Sequence, residues 1–451
     1  MLNNYLKPIL LVSGLVGFIN SSYAQPSASL TDSDAPKAGL ANSPLSRYGI
    51  GDVNPMIHST IKGMGGIATA YNNPFTINTY NPASYAFLKH TTYDVSINAV
   101  SNKFLLGANE YKASTFSLGN LALAFPLTKN WGMSFGYMPK STMYYNARRD
   151  VQAPVLDTVA HYFYGTGALH NLHLGTAYKY KGFSIGANAN YIFGNTLRSS
   201  SIEVSDLYGL NSEFVDYYNM NGLQFKIGAL YQHIIKEKYY IHVGASYEMK
   251  ANLNTNLDQY AMSYRYATNQ DGSIKIDAVD TLHNFTQLNT KNHLYLPSEF
   301  SLGIHAGKSA YWNVGIDFVY TNWNEYAWNK ERLNIADNTY RFSFGGEFTP
   351  NPEAIDNKFA NNITFRLGGY YGTDYRMIAG EQLKYYGGTF GLGLPLFRSY
   401  GSNGKGIVNF SFDIGKLSNG KQVAALYNNN YFKFNVGFNL NDLWFIKRKF
   451  D

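Results

Sequence analysis

Tyr431-Phe432-Lys433-Phe434-Asn435-Val436-Gly437-Phe438-Asn439-Leu440 decides the fold. Phe432, Phe434, Val436, Phe438 and Leu440 alternate with Lys433, Asn435, Gly437 and Asn439. A period of two sends successive side chains to opposite faces of a strand. One face of this strand is apolar, the other polar. The preceding stretch repeats the pattern, with Val408, Phe410, Phe412 and Ile414 against Asn409, Ser411, Asp413 and Gly415. So do Trp312 to Tyr320, with Asn313, Gly315 and Asp317 on the second face. In Tyr239 to Glu248, Ile241, Val243 and Tyr247 alternate with His242, Gly244, Ser246 and Glu248.

Such alternation suits a soluble sandwich with one wet face. It also suits a transmembrane barrel whose apolar face meets lipid and whose polar face lines the lumen. Three features favour the barrel. The strands run long enough for a tilted crossing, aromatic residues recur at strand ends as in membrane girdles, and the chain ends on an aromatic strand with Phe450 near its terminus. The expected fold is therefore all-β, a transmembrane antiparallel barrel of about 14 strands over residues 91–451. The strands start near Thr92, Ser114, Trp131, His161, Gly182, Asn221, Tyr239, Pro297, Tyr311, Thr339, Asn361, Tyr385, Gly406 and Tyr431.

The connections alternate between short and long. Pro126 to Asn130, Lys179 to Gly182, Lys236 to Lys238 and Gly307 to Ala310 read as short turns. Ala147 to Ala160, Leu197 to Met220, Lys250 to Leu296 and Thr321 to Asn338 read as long loops. Short periplasmic turns and long outer loops characterise outer-membrane barrels, which puts both termini in the periplasm.

Composition agrees. Among 451 residues there are 39 Tyr, 29 Phe and 42 Gly, charged residues make up 15%, and Cys is absent. No cysteine means no disulfide, thiolate metal site or Cys nucleophile. The net charge of +7 forms no basic stripe, so nucleic acid is not an expected partner. The densest basic run, Lys447-Arg448-Lys449, suits anionic lipid headgroups. The ten His residues are scattered, and no nucleophile motif or metal spacing appears. We expect no enzyme, cofactor or metal.

Residues 1–24 read as a signal peptide: Lys7, an apolar run Ile9 to Ile19, and Ser22-Tyr23-Ala24 before Gln25. Residues 25–42 are polar and read as a flexible linker. Residues 43–90 have no sustained period and are rich in Gly, Pro and Asn. A long irregular stretch inside a compact chain needs a job. A wide barrel would hold a water-filled hole unless something filled it, so this stretch is expected to be a plug, or hatch, in the lumen. Asp94, Lys226, Asp317, Arg341, Glu347, Arg366 and Asp413 fall on the lumen face. They would either bond the plug or form cross-strand ion pairs.

One residue interrupts the third strand. Trp131, Met133, Phe135 and Tyr137 alternate, and Pro139 follows. Proline has no ladder N–H and belongs at edges or bulges. Either the strand bends or breaks at Pro139, opening a gap in the wall, or Pro139 ends its membrane part.

Gly63-Met64-Gly65-Gly66, followed by Asn81-Pro82-Ala83, resembles the hatch signature of the FadL family of outer-membrane transporters for long-chain fatty acids and other hydrophobic compounds. The strand count, the N-terminal plug and the kinked third strand are also similar to that family. Gly391-Leu392-Gly393-Leu394-Pro395-Leu396 and Asn441 to Lys449 resemble a FadL-like branch of unassigned substrate. The resemblance implies passive uptake: a hydrophobic small molecule lands on outer loops, binds above the plug and leaves sideways into the bilayer through the gap at Pro139. Gly63, Gly65 and Gly66 would belong to the hatch. Asn81 would carry its turn and cap backbone groups, Pro82 would stiffen it, and Ala83 would allow close packing. The polar mature N-terminus from Gln25 departs from the family pattern. The alternative is a FadL-like barrel serving a secretion apparatus of the type IX kind, with outer loops gripping a protein partner. Asp206-Leu207-Tyr208-Gly209-Leu210 suits ligand capture, and Thr268 to Ser273 suits a partner.

Overall fold

The computed structural model describes residues 43–106, 109–153, 157–204, 209–236, 238–268, 274–281, 287–328, 330–332, 334–352, 359–378, 380–398, 405–420 and 427–442. The expected signal peptide (1–24), linker (25–42), basic C-terminal run and Phe450 lie outside these residues, as do loop positions 205–208 and 269–273.

Fourteen antiparallel strands close into a barrel. They are β1 (Thr91–Leu106), β2 (Asn109–Pro126), β3 (Trp131–Ala153), β4 (Asp157–Tyr180), β5 (Phe183–Val204), β6 (Asn211–Ile235), β7 (Tyr239–Glu248), β8 (Ser298–Lys308), β9 (Trp312–Asn322), β10 (Thr339–Phe348), β11 (Thr364–Ile378), β12 (Glu381–Arg398), β13 (Lys405–Ser418) and β14 (Tyr427–Asp442). β14 closes the ring on β1, from Tyr427↔Leu106 to Asp442↔Thr91. The expected alternation holds. Phe432 and Phe438 face outward, while Asn435 and Asn439 are buried.

Two expectations need correction. Residues 250–296 are not a polar loop. Ala251–Thr268 and Gln287–Leu296 continue β7 and β8 as paired strands, and Ile274–Thr281 pairs with Ala251–Thr268. Likewise β3 to β6 run 22 to 25 residues and take up much of the expected loops at 147–160 and 197–220. A crossing needs only about 10 residues, so this wall rises well beyond one bilayer. Its signal lay in the sequence. Ala251, Leu253 and Leu257 are buried while Asn252, Asn254 and Asn256 are exposed, which is still a period of two but with the polar face outward.

The raised wall encloses an apolar core that includes Leu169, Ile192, Met220, Leu253, Leu294 and Trp323. Trp323 stacks on Tyr375 at 4.0 Å between ring centroids. Arg198 lies over the Trp328 ring, 4.2 Å from its centroid. This core sits at the end of the barrel opposite the short turns.

Candidate functional site

Residues 43–90 run down the inside of the barrel. At the far end Ile50 joins the apolar core. At the short-turn end Tyr85 lies beside Gly132, at the start of β3. Between them Ile57, Ile61, Met64, Ile67, Ala68 and Tyr71 form a buried cluster of their own.

Polar groups of the wall hold this segment by its backbone. Asp317 of β9 accepts from the Ala68 and Thr69 amides, both at 2.6 Å. Arg341 of β10 donates to the Gly65 carbonyl at 2.9 Å. The Gly65 amide donates to Thr389 of β12 at 2.6 Å. His58 meets Asp94 of β1 at 3.1 Å, both fully buried. A polar group shut away from water costs free energy unless paired, so each irregular backbone group needs such a partner.

The lumen charges divide between the segment and one another. Lys226 lies over the Tyr80 ring at 3.9 Å and also meets Glu248 at 3.3 Å. Glu347 accepts from the Tyr71 hydroxyl at 3.2 Å and pairs with Arg366 at 3.1 Å. Asp413 accepts from Tyr370. Both expected roles, bonding the segment and pairing across strands, occur in one network.

The residues singled out by the hatch motif fall into two contacts with the wall. Gly65 and Gly66 have φ of +68° and +77°, in the left-handed region that glycine adopts without strain. A Cβ on Gly65 would stand 2.6 Å from the Phe344 carbonyl. Gly63 lies against Gly391 of β12, in the Gly391 to Leu396 run. Further down, Asn81 caps the turn Pro82–Phe87 by accepting from the Ala83 amide at 3.1 Å. Its amide nitrogen donates to Thr69 O at 2.6 Å and to Ala229 O of β6 at 3.1 Å. One side chain thus joins the turn, the segment and the wall. Pro82 begins the turn against Gly186 of β5, where an added Cβ would stand 2.6 Å from the Pro82 carbonyl. Ala83 is fully buried, and its carbonyl accepts from Ser184 at 3.0 Å.

Pro139 sits where the wall separates. β2 and β3 pair only from Pro126↔Gly132 to Leu121↔Tyr137. Beyond Tyr137 the two strands part, although β3 continues to Ala153 paired with β4. That second ladder shifts register between Pro139 and Ser141, a bulge that bends the strand. The bend directs Lys140 across the lumen to Gln224 at 2.7 Å and Glu248 at 2.9 Å.

The freed edge of β3 takes a new partner from the inner segment. Asp52 and Val53 pair with Thr142 and Ser141. The Asn54 amide donates to Lys140 O at 2.9 Å, and the Ser43 amide to Tyr144 O at 2.9 Å. Sequence reading found Pro139 but not this surrogate pairing, because a two-residue strand carries no periodic signal.

A cavity of about 600 Å³ runs beside the segment and reaches the separation. Thr115, Phe116 and Ser117 of β2 line it on one side, Met138 and Pro139 of β3 on the other. Lys62 projects into it and donates to Asn98 at 2.7 Å. Burial is the main cause that brings the Lys62 ammonium down to about 8, with Asp94 opposing the shift and Lys433 adding to it. Among the described residues no group of His, Cys, Asp and Glu has the arrangement of a metal site.

The chain belongs to the BamG family, whose family model matches residues 31–451. No curated protein sequence matches it. Solved structures do. A FadL homologue of Pseudomonas aeruginosa superposes with a TM-score of 0.57 at 12% identity, covering 87% of this chain and 99% of that one. The Pseudomonas putida toluene transporter TodX gives 0.56 at 13%, covering 88% and 100%. The monoaromatic hydrocarbon channel CymD gives 0.55 at 14%, covering 87% and 98%. At these identities the likeness establishes a shared fold.

Proposed function

We propose that this BamG-family barrel is an outer-membrane channel for passive uptake of hydrophobic compounds, long-chain fatty acids among them. In this reading residues 43–90 are a hatch, both termini are periplasmic, and the ligand leaves sideways between β2 and β3. The observation that carries the reading is the continuity of the inner cavity with the separation at Pro139. The relatives named as toluene and monoaromatic hydrocarbon channels support it.

The mechanism follows from the lining. A hydrophobic molecule gains by leaving water for the apolar core at the far end. Movement down the lumen is blocked by the hatch, whose backbone is bonded to wall strands on several sides. The remaining path is lateral, into hydrocarbon, where unpaired strand edges would be costly. The surrogate pairing of β3 with residues 52–54 meets that cost on one side and holds the strands apart. The concentration gradient is the driving force.

The test is Pro139→Val with uptake of a fluorescent fatty acid into vesicles carrying the full barrel. A β-former at this position lets β3 run straight and re-pair with β2. Uptake should fall towards that of protein-free vesicles, while the heat-dependent gel mobility of the folded barrel stays unchanged. Undiminished uptake would remove the lateral route.

A second reading, a barrel that holds a protein partner as part of a secretion apparatus, is favoured by one observation. The far-end mouth is packed with its own side chains, Trp323, Tyr326 and Trp328 among them. Co-purification of a stoichiometric protein with an empty barrel would move the assignment there.

A further inference from the structure

The outer wall at β5 to β7 is thin on both faces. Inside, Gly186, Gly228 and Gly244 face Pro82, Asn81 and Thr69 of the inner segment. Outside, Ala187, Ala229 and Ala245 form the floor of an apolar groove of about 600 Å³. Ala229 stands directly opposite Ala245, and Ile185 opposite Ala229. Trp131, Tyr178, Tyr247 and Phe300 rise around this floor and are 38–53% exposed. The Trp131 indole is fixed across the strands by its bond to Thr176 at 2.7 Å.

The groove runs towards the rim of short turns between β2 and β9, whose sequence is basic. The turns at 127–130, 181–182, 236–238 and 309–311 carry Lys129, Lys181, Lys236 and Lys238 against one carboxylate, Glu237. Lys179 and Lys308 flank them. Lys181 folds onto the outer face of the wall, its ammonium 5.4 Å from the centroid of Tyr180, which is 65% exposed. Tyr180 lies two residues beyond Tyr178, on the same face, where the groove ends.

We propose that this groove and rim bind one anionic phospholipid from the leaflet facing the short turns. An acyl chain lies on the alanine floor between the aromatic walls, and the phosphate meets Lys181 and its neighbours. Small residues let a chain approach the backbone closely, as they do between helices in membranes. Lysines at the headgroup level attract anionic lipid, while Trp and Tyr favour the same depth. The inference rests on the membrane-spanning reading of the barrel but not on transport.

The test uses the full chain in a non-ionic detergent. It is mixed with equal amounts of phosphatidylglycerol and phosphatidylcholine of identical acyl chains and examined by native mass spectrometry. One phosphatidylglycerol should remain per barrel, preferred by about tenfold because several lysines act together. The combined Lys129→Gln, Lys181→Gln and Lys236→Gln changes should bring the two lipids to parity. Ala229→Phe should cut retention of both. In the unaltered protein the preference should fall as salt rises, which needs no variant to fold. Equal retention of the two lipids would overturn the proposal, as would a preference that survives the lysine changes. Salt-sensitive retention of a poly-glutamate peptide without lipid discrimination would assign the rim to an acidic protein instead. Normal lipid discrimination in a barrel that fails to transport would leave this site standing and the uptake reading fallen.

Discussion

β6 is one uninterrupted strand with two different surroundings. In its half nearer the short turns, Leu223, Phe225 and Ile227 face outward, while Gln224 and Lys226 face the lumen. In its far half, Asn219 and Asn221 face outward, and Tyr218 and Met220 are buried inside. The phase of the side chains does not change between Met220 and Lys226; only the chemistry of the two faces does. β7 and its continuation make the same inversion with a break at Met249 and Lys250. Backbone geometry is therefore indifferent to what lies outside a strand. The residue types report it: hydrocarbon around the near half and water around the far half. The far half is held together like a soluble protein, by an apolar interior. The near half reverses this, with a polar, hydrogen-bonded interior and an apolar exterior.

The largest expected effect tests this inversion directly. Val243→Arg places a charge on the outer face of the near half. It should destabilise the barrel by about 2–4 kcal/mol in a urea titration in lipid vesicles. Asn254→Arg, on the outer face of the far half, should change stability by less than about 0.5 kcal/mol. Equal costs would mean that one solvent surrounds both halves.

Next comes the interior. Leu253→Ala removes a fully buried side chain from the far core and should cost about 2–3 kcal/mol there. Leu302→Ala, facing outward in the near half, leaves no cavity and should cost less. Hydrogen exchange of the amides at 251–257 separates local loosening from global unfolding.

A smaller effect concerns how the near half holds the inner segment. Asp317→Asn keeps the shape of the side chain but weakens two charge-assisted bonds to the Ala68 and Thr69 amides. Their exchange should speed up by about tenfold, equivalent to about 1.4 kcal/mol. Unchanged exchange would mean that the other wall contacts suffice.

The last effect is one of pH. Seating the segment brings Lys62 to about 8 from an ordinary 10.5. Between these values the released segment binds more protons than the seated one, so seating strengthens as pH rises through that window. Protease accessibility of residues 43–90 should fall from pH 7.5 to pH 9.5, and Lys62→Met should abolish the trend.

Much of the barrel was legible in the sequence, because a period of two is a local property. Eight of the fourteen expected strand starts fall within one residue of the observed ones, five, such as Ser114 against Asn109, miss by three to five, and the widest miss is β6, which begins at Asn211 and not near Asn221. That miss has the same cause as the loops expected at 197–220 and 250–296. Polar residues facing outward look like loop when the outward face is assumed to meet lipid. Asn252, Asn254 and Asn256 held the correct signal, masked by that assumption.

The site was legible only as parts. Glycine at 65 and 66, an Asx cap at Asn81 and a proline at 139 each state a local backbone requirement that a reader of the chain can find. What each faces is separate information. Gly63 meets Gly391, Asp317 meets Ala68, and Asp52 pairs with Thr142 across hundreds or tens of intervening residues. These contacts exist because closing the ring brings β3 and β9 to β12 around a segment that precedes all of them. Local torsional preferences and residue alternation, set by covalent geometry and solvent, were thus determined by the sequence alone. The partner of each buried polar group, and the strand pairing that β3 gives up and regains, were decided only when the closed barrel placed distant donors and acceptors within bonding distance.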